Sequence, residues 1–167
     1  MPNNVLFITR EDIVAKSPLG GNVDTDKFIF FIKQAQDIHV QNILGTKLYE
    51  ALQTKISGAT LSGNYQTLVD TYIQPVLIQY ALVDFLPFAG VTIGNGGVYV
   101  HQSENSDTAT KNRIDFLVQK TRDTAEYYSR RLIDYLTYNN QLFPEYNQNT
   151  NDDVYPSSDS SFHGIVL

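Results

Sequence analysis

The sequence contains no cysteine and no tryptophan, and methionine occurs once. Without cysteine there is no disulfide framework and no thiolate metal site. Charge is sparse as well, at 18% of 167 residues, and tilted to acid, with a formal net charge of −6. That balance argues against a general nucleic-acid-binding surface, because phosphate binding needs a basic footprint. A wall past which DNA slides without being gripped is still compatible with it. No apolar run approaches the roughly 20 residues that cross a bilayer. The stretch from Met1 to Arg10 lacks the basic region and long apolar core of a signal peptide. The expected setting is a cytoplasm, or a particle assembled in one.

The hydrophobic fraction is 42%, the reverse of a disordered composition. The length suits one domain with a real core. Tyr (11) and Phe (9) are plentiful. Many aromatics beside few charges suit protein–protein contacts, whose centres are depleted of charge and anchored by aromatic side chains. The same composition also fits an ordinary core under a polar, uncharged surface.

The pattern of apolar residues is mostly helical. Val5-Leu6-Phe7-Ile8 is a short apolar run, and Thr9-Arg10-Glu11-Asp12 resembles a helix N-cap with acids in the first turn. After a loop at 17–22, Phe28, Ile29, Ile32, Ala35, His39 and Ile43 recur at three- and four-residue steps. Phe31 and Ile38 widen that face, so the helix is expected to be buried on more than one side. Gly45 is expected to end it, being free to take a left-handed conformation. Thr46 then caps a shorter helix carrying Leu48, Leu52 and Ile56. Pro75 kinks or restarts the next helix. Val76 to Phe88 is apolar almost all round and predicts a central core helix. Val91 to Val100 flanks a Gly-Asn-Gly-Gly turn with β-rich residues, which predicts a hairpin at about 91–101. The longest helix is expected from about Thr108 to Asn139. Its stripe runs through Ile114, Leu117, Val118, Thr121, Ala125, Tyr128, Leu132, Tyr135 and Leu136. The expected fold class is therefore mainly α. It is a helical bundle with one β-hairpin inserted before a long C-terminal helix, followed by an extended C-terminal tail. A domain over residues 1–140 would be followed by an arm over 141–167, which is rich in Asn, Gln, Asp, Ser and Tyr and ends on Phe162, Ile165, Val166 and Leu167.

Chemistry-bearing patterns are weak. His39, His101 and His163 lie on different segments with no partner at metal-ligand spacing. His39 falls on an apolar helix face, where a hydrogen-bonded core histidine is the ordinary reading. No Gly-x-Ser-x-Gly elbow is present, and no set of catalytic roles can be filled. Gly94-Asn95-Gly96-Gly97 lacks the Gly-Lys-Ser/Thr ending of a phosphate loop. Asn151-Asp152-Asp153 lacks the alternating ligands and closing Glu of a calcium loop. No catalytic, cofactor or metal site is expected.

The candidate functional residues are instead those of an interface. Arg113, Lys120 and Arg131 fall close to one line of the long helix, roughly a quarter turn from its apolar stripe, with Phe116 and Tyr127 beside it. The bland alternative is a solvated face paired to Asp115, Asp123 and Glu126. Ile93, Val98 and Tyr99 of the hairpin, Tyr155, and the apolar end of the arm complete the candidates. An exposed Phe-x-x-Ile-Val-Leu end invites strand addition onto a neighbouring sheet edge, while a merely loose terminus is the alternative.

The order of elements resembles the small head–tail connector proteins (head-completion adaptors) of tailed phages. The likeness is carried by Phe7-Ile8-Thr9-Arg10-Glu11-Asp12-Ile13, by the aromatic helix Phe28 to Leu44, and by a hairpin between a central and a long helix. It is carried also by Ile43-Leu44-Gly45-Thr46-Lys47-Leu48-Tyr49, which looks like a junction in such proteins of Bacteroidetes and crAss-like phages. It covers roughly residues 5 to 140. The resemblance implies a non-enzymatic virion protein at the head–tail junction, forming a ring of usually about twelve copies. It implies docking on the portal protein and a platform for the tail or the next ring protein. DNA would pass through the channel without specific binding, and no membrane or cofactor would be involved. A small helical protein-binding or regulatory module without a ring is the rival reading. A hydrolase with a scattered His/Asp/Ser set is a third.

Overall fold

In the computed structural model, the described residues are 5–18, 25–89, 91–94, 97–100, 111–148 and 153–159. The axis of the fold is helix α5, Gln74–Phe85, in which Val76, Leu77, Ile78, Tyr80, Ala81, Leu82, Val83 and Phe85 are all buried. A helix apolar on every side must be covered on every side. Helix α2 (Thr25–Ala35) and the long helix α6 (Lys111–Tyr138) provide most of that cover, and α1 (Arg10–Lys16) also touches it. Phe28 meets Phe85 edge-on at 5.4 Å between ring centroids, and α6 contributes Ala125, Leu132, Ile133 and Leu136. Each large apolar side chain buried this way contributes about 2 kcal/mol relative to exposure.

Two π-helical turns interrupt the regular helices, at Gln36–Val40 and at Leu68–Ile73. At their ends Gln41 N–H donates to Gln36 C=O and Gln74 N–H to Val69 C=O, five residues back. The second turn delivers the chain into α5 with Pro75 in its first turn, where a missing N–H costs least. Helix α3, Gln41–Ser57, is broken at Gly45, whose φ of 73° and ψ of 159° no side-chain-bearing residue adopts readily. The break expected at this glycine is thus present. After it come α4 (Gly63–Thr67) and, beyond α6, a 3-10 turn at Asn140–Leu142 and the short α7 (Pro144–Asn147).

Three expectations are corrected. The first concerns fold class: the fold is helical, and a hairpin is not one of its architectural components. Among the described residues the strands β1 (Val91–Gly94) and β2 (Gly97–Val100) pair antiparallel with each other alone, Val91 opposite Val100 and Gly94 opposite Gly97. No described core residue lies in them. Two four-residue strands offer too little apolar face to build a layer, and the described core is built by the helices together with Phe7, Ile8 and Phe143.

The second correction concerns the tail. The chain after α6 is not simply extended: Phe143 is fully buried, meeting Tyr65 edge-on at 5.3 Å, and Tyr65 donates to Glu145 at 2.7 Å. The third concerns α2 and the turn after it, which are less enclosed than their pattern predicted. Ile38 is exposed and Phe31 only half-buried. The π turn at 36–40 accommodates an extra residue, which shifts the residues after it around the helix axis.

Candidate interaction surface

Helix α6 is about 42 Å long at 1.5 Å per residue, and its two halves differ. From Ala125 onward it carries five buried residues, whereas none from Lys111 to Thr124 is buried. The apolar stripe nevertheless continues unbroken into the first half, so Leu117 is left 46% exposed on a line that Leu132 and Leu136 bury completely. The stripe runs past the end of its own core.

The basic and aromatic candidates come together on this helix. At about 100° per residue, Arg113, Phe116, Lys120, Tyr127 and Arg131 fall within a sector of about 60°, and all five are exposed. Phe116 is 69% and Tyr127 64% exposed. Among the described residues no ion pair joins Arg113 or Lys120 to Asp115, Asp123 or Glu126. Arg131 lies over the ring of Tyr72, 4.9 Å from its centroid, and Tyr72 stacks on Tyr135 at 3.9 Å. One end of the stripe is therefore braced by aromatic packing, which holds a cation in place with less loss of freedom on binding.

Beside the first half of α6 runs an open cleft of about 460 Å³, lined by Phe30, Phe31, Val83, Pro87, Phe88 and Val118, with Asp84 and Arg122 as its charged groups. Phe30, at 65% exposure, and Phe88 stand at the surface here. Burial pushes the Asp84 carboxyl above the ordinary carboxylate range, and Arg122 partly offsets this. The sequence reading did not single out Phe30 or Phe88. The signal available for Phe30 was its place off the line of Phe28, Ile29 and Ile32, on a residue type that seldom stands alone in solvent.

Other candidates are dispersed. Ile93 and Val98 are register partners in the β pair, and Thr92 is opposite Tyr99. The side chains of these strand residues, Val91 apart, lie outside the described set. Phe162, Ile165, Val166 and Leu167 lie outside the described residues, as do His101 and His163. Tyr155 is described and is 77% exposed. His39 is half-buried and packed flat on Tyr80. Among the described residues no group of three His, Asp or Glu side chains could hold a metal ion, and no helix is long and apolar enough to cross a membrane.

A helical domain with an exposed aromatic and basic helix face is the class that this geometry defines. The chain belongs to a family of unknown function, DUF6712, whose pattern matches residues 40–155. That span runs from the first π turn, through the Gly45 break and α6, to Tyr155. Neither a curated protein nor a solved structure matches the chain.

Proposed function

We propose that this protein is a structural subunit of the head-to-tail connector of a tailed phage. Copies form a closed ring at the head–tail junction, assembled in the host cytoplasm. The ring docks on the portal, extends the DNA channel and presents a platform to the tail or the next ring protein. The reading assigns no catalytic step and no cofactor. The observation that carries it is the exposed stripe of α6, with Arg113, Phe116, Lys120, Tyr127 and Arg131 on one face. Together with the unburied Leu117 it is a surface prepared for a protein. A ring repeats one heterologous contact until it closes, so each copy needs two complementary faces. A basic stripe on a chain of net charge −6 can meet the acidic surface of its neighbour. The same acidity lets DNA pass without being gripped. The resemblance of the opening segment, the aromatic helix and the Gly45 junction, without the hairpin, supplies the rest of the reading.

The test is mass photometry of the purified protein, alone and mixed with the portal of the same virus. A species of about twelve subunits, or assembly that depends on the portal, is the expected result. A clean monomer indifferent to the portal would leave the small helical binding module as the better reading.

A further inference from the structure

The break at Gly45 has an occupant. In an unbroken helix Thr46 N–H would donate to Asn42 C=O, four residues back. Here Gly45 turns the chain away, and both groups are taken by residues more than a hundred positions later. Thr46 N–H donates to Val154 C=O at 3.0 Å, and Ser157 N–H donates to Asn42 C=O at 2.8 Å. Val154 N–H donates to Thr46 Oγ1 at 2.9 Å. Gln41 Nε2 also donates to that hydroxyl, at 3.3 Å. One lost helical bond is replaced by three bonds to an extended segment, and the broken helix becomes a slot for a peptide strap.

We propose that this slot is a site of arm exchange, which takes residues 153–157 from a second copy of the chain. The proposal rests on the reading that copies associate. Three observations carry it. The three bonds given above that seat the strap join main-chain groups or the Thr46 hydroxyl, so the same segment of a neighbour satisfies them equally. Val154, Pro156 and Ser157 are only half-buried and Tyr155 is exposed, so release of the strap gives up little apolar contact. The bonds broken in one copy are remade in the next, the condition under which swapping is a low-cost route to association. Between Gln148 and Asp153 the chain has five residue steps, a reach of about 17 Å when extended. The neighbour's slot must therefore come within that distance of Gln148.

The absence of cysteine makes a clean test. One pool of full-length chain carries Asn42→Cys, and a second pool, with a tag of different mass, carries Ser158→Cys. The pools are mixed at concentrations where mass photometry reports association, treated with a short bismaleimide and separated under denaturing conditions. Exchange is expected to give a cross-linked product containing both tags. Adding Val154→Pro and Ser157→Pro to the second pool removes two donors and should cut that product by about tenfold or more. Absence of the two-tag product, or a product indifferent to the proline substitutions, overturns the proposal. Large assemblies without the product leave the ring and remove the exchange. The product with dimers only keeps the exchange and removes the ring. Monomers without the product remove both.

Discussion

His39 lies flat on Tyr80, with ring centroids 3.7 Å apart and planes 6° from parallel. The π turn carries the imidazole and α5 the phenol. Ser129 of α6 donates to the same phenol hydroxyl at 3.4 Å, so the stack joins three elements. Burial pushes the imidazole down to about 4 from an ordinary 6.5. The charged form is therefore disfavoured in the folded chain and free to form in the unfolded one. The unfolded state binds the extra proton, so stability is complete above about 6.5 and falls as pH drops toward 4. The loss attributable to this residue should approach about 3 kcal/mol. Asp84, whose carboxyl burial holds above the ordinary range, also takes up a proton as pH falls, so the comparison is between variants. His39→Phe keeps a ring on Tyr80, and its urea midpoint should depend less on pH across this window than that of the parent chain. Parallel pH profiles would show that the histidine is not desolvated as the stack requires.

Gln36 holds the N-terminal run onto the helices. Its side-chain oxygen accepts from Phe7 N–H at 2.9 Å, and its amide donates to Val5 C=O at 2.8 Å and to Tyr49 Oη at 3.0 Å. Gln74, also buried, donates to Phe7 C=O at 3.1 Å. Gln36→Leu keeps the volume and strips all three bonds, leaving buried main-chain groups unpaired. The expected cost is about 3 kcal/mol, read as a lower urea midpoint with an unchanged slope. A loss below about 0.5 kcal/mol would mean that Val5 and Phe7 find other partners.

Gly45→Ala tests the helix break. A Cβ at this φ and ψ should cost about 2 kcal/mol. Relief is available if the helix straightens and Thr46 N–H returns to Asn42 C=O, which evicts Val154 and Ser157. An aspartate-directed protease should then cut near Asp153 faster than in the parent chain. An unchanged cutting rate would show that the strap stays seated without the break.

Much of this architecture is legible in the residues. The stripe from Ala125 to Leu136, the all-round apolar α5 and the Gly45 break follow from periodicity and from one glycine, because local steric rules and burial act there in the same direction. The π turns are not legible, since one extra residue in a turn leaves no composition mark. The strap is not legible either, because its bonds join main-chain atoms far apart in sequence, and main-chain atoms are the same in every residue. Phe143 looked like part of a polar tail for a related reason. A single apolar residue has no period, and only its contacts with Tyr65 and Tyr135 reveal it as core. Of the interface candidates, those on α6 share a face that helical geometry alone predicts. Those at 93–99 and on the arm have no common period to bring them together.

Phe143→Ala separates a docked segment from a loose one. The side chain is fully buried, so the cavity left behind should cost about 3–5 kcal/mol. A freely extended tail would tolerate the change. Chemical denaturation followed by circular dichroism distinguishes the two, and a change within about 0.5 kcal/mol would return residues 141–148 to the status of a tail.

The two halves of α6 should respond oppositely to substitution. Leu132 is completely buried, so Leu132→Ala should lower folding stability by about 2–5 kcal/mol. Phe116 is exposed and touches little of its own chain, so Phe116→Asp should move the folding midpoint by no more than about 0.5 kcal/mol. If the stripe is the face that meets a neighbour, the same Phe116→Asp removes an aromatic anchor and turns a carboxylate toward the neighbour's acidic surface. Association should then weaken by roughly 2 kcal/mol, about thirtyfold. Sedimentation at several concentrations measures it directly. Association unaltered by Phe116→Asp and by Leu117→Asp would return this half of α6 to an ordinary solvated surface, and the ring would need another face.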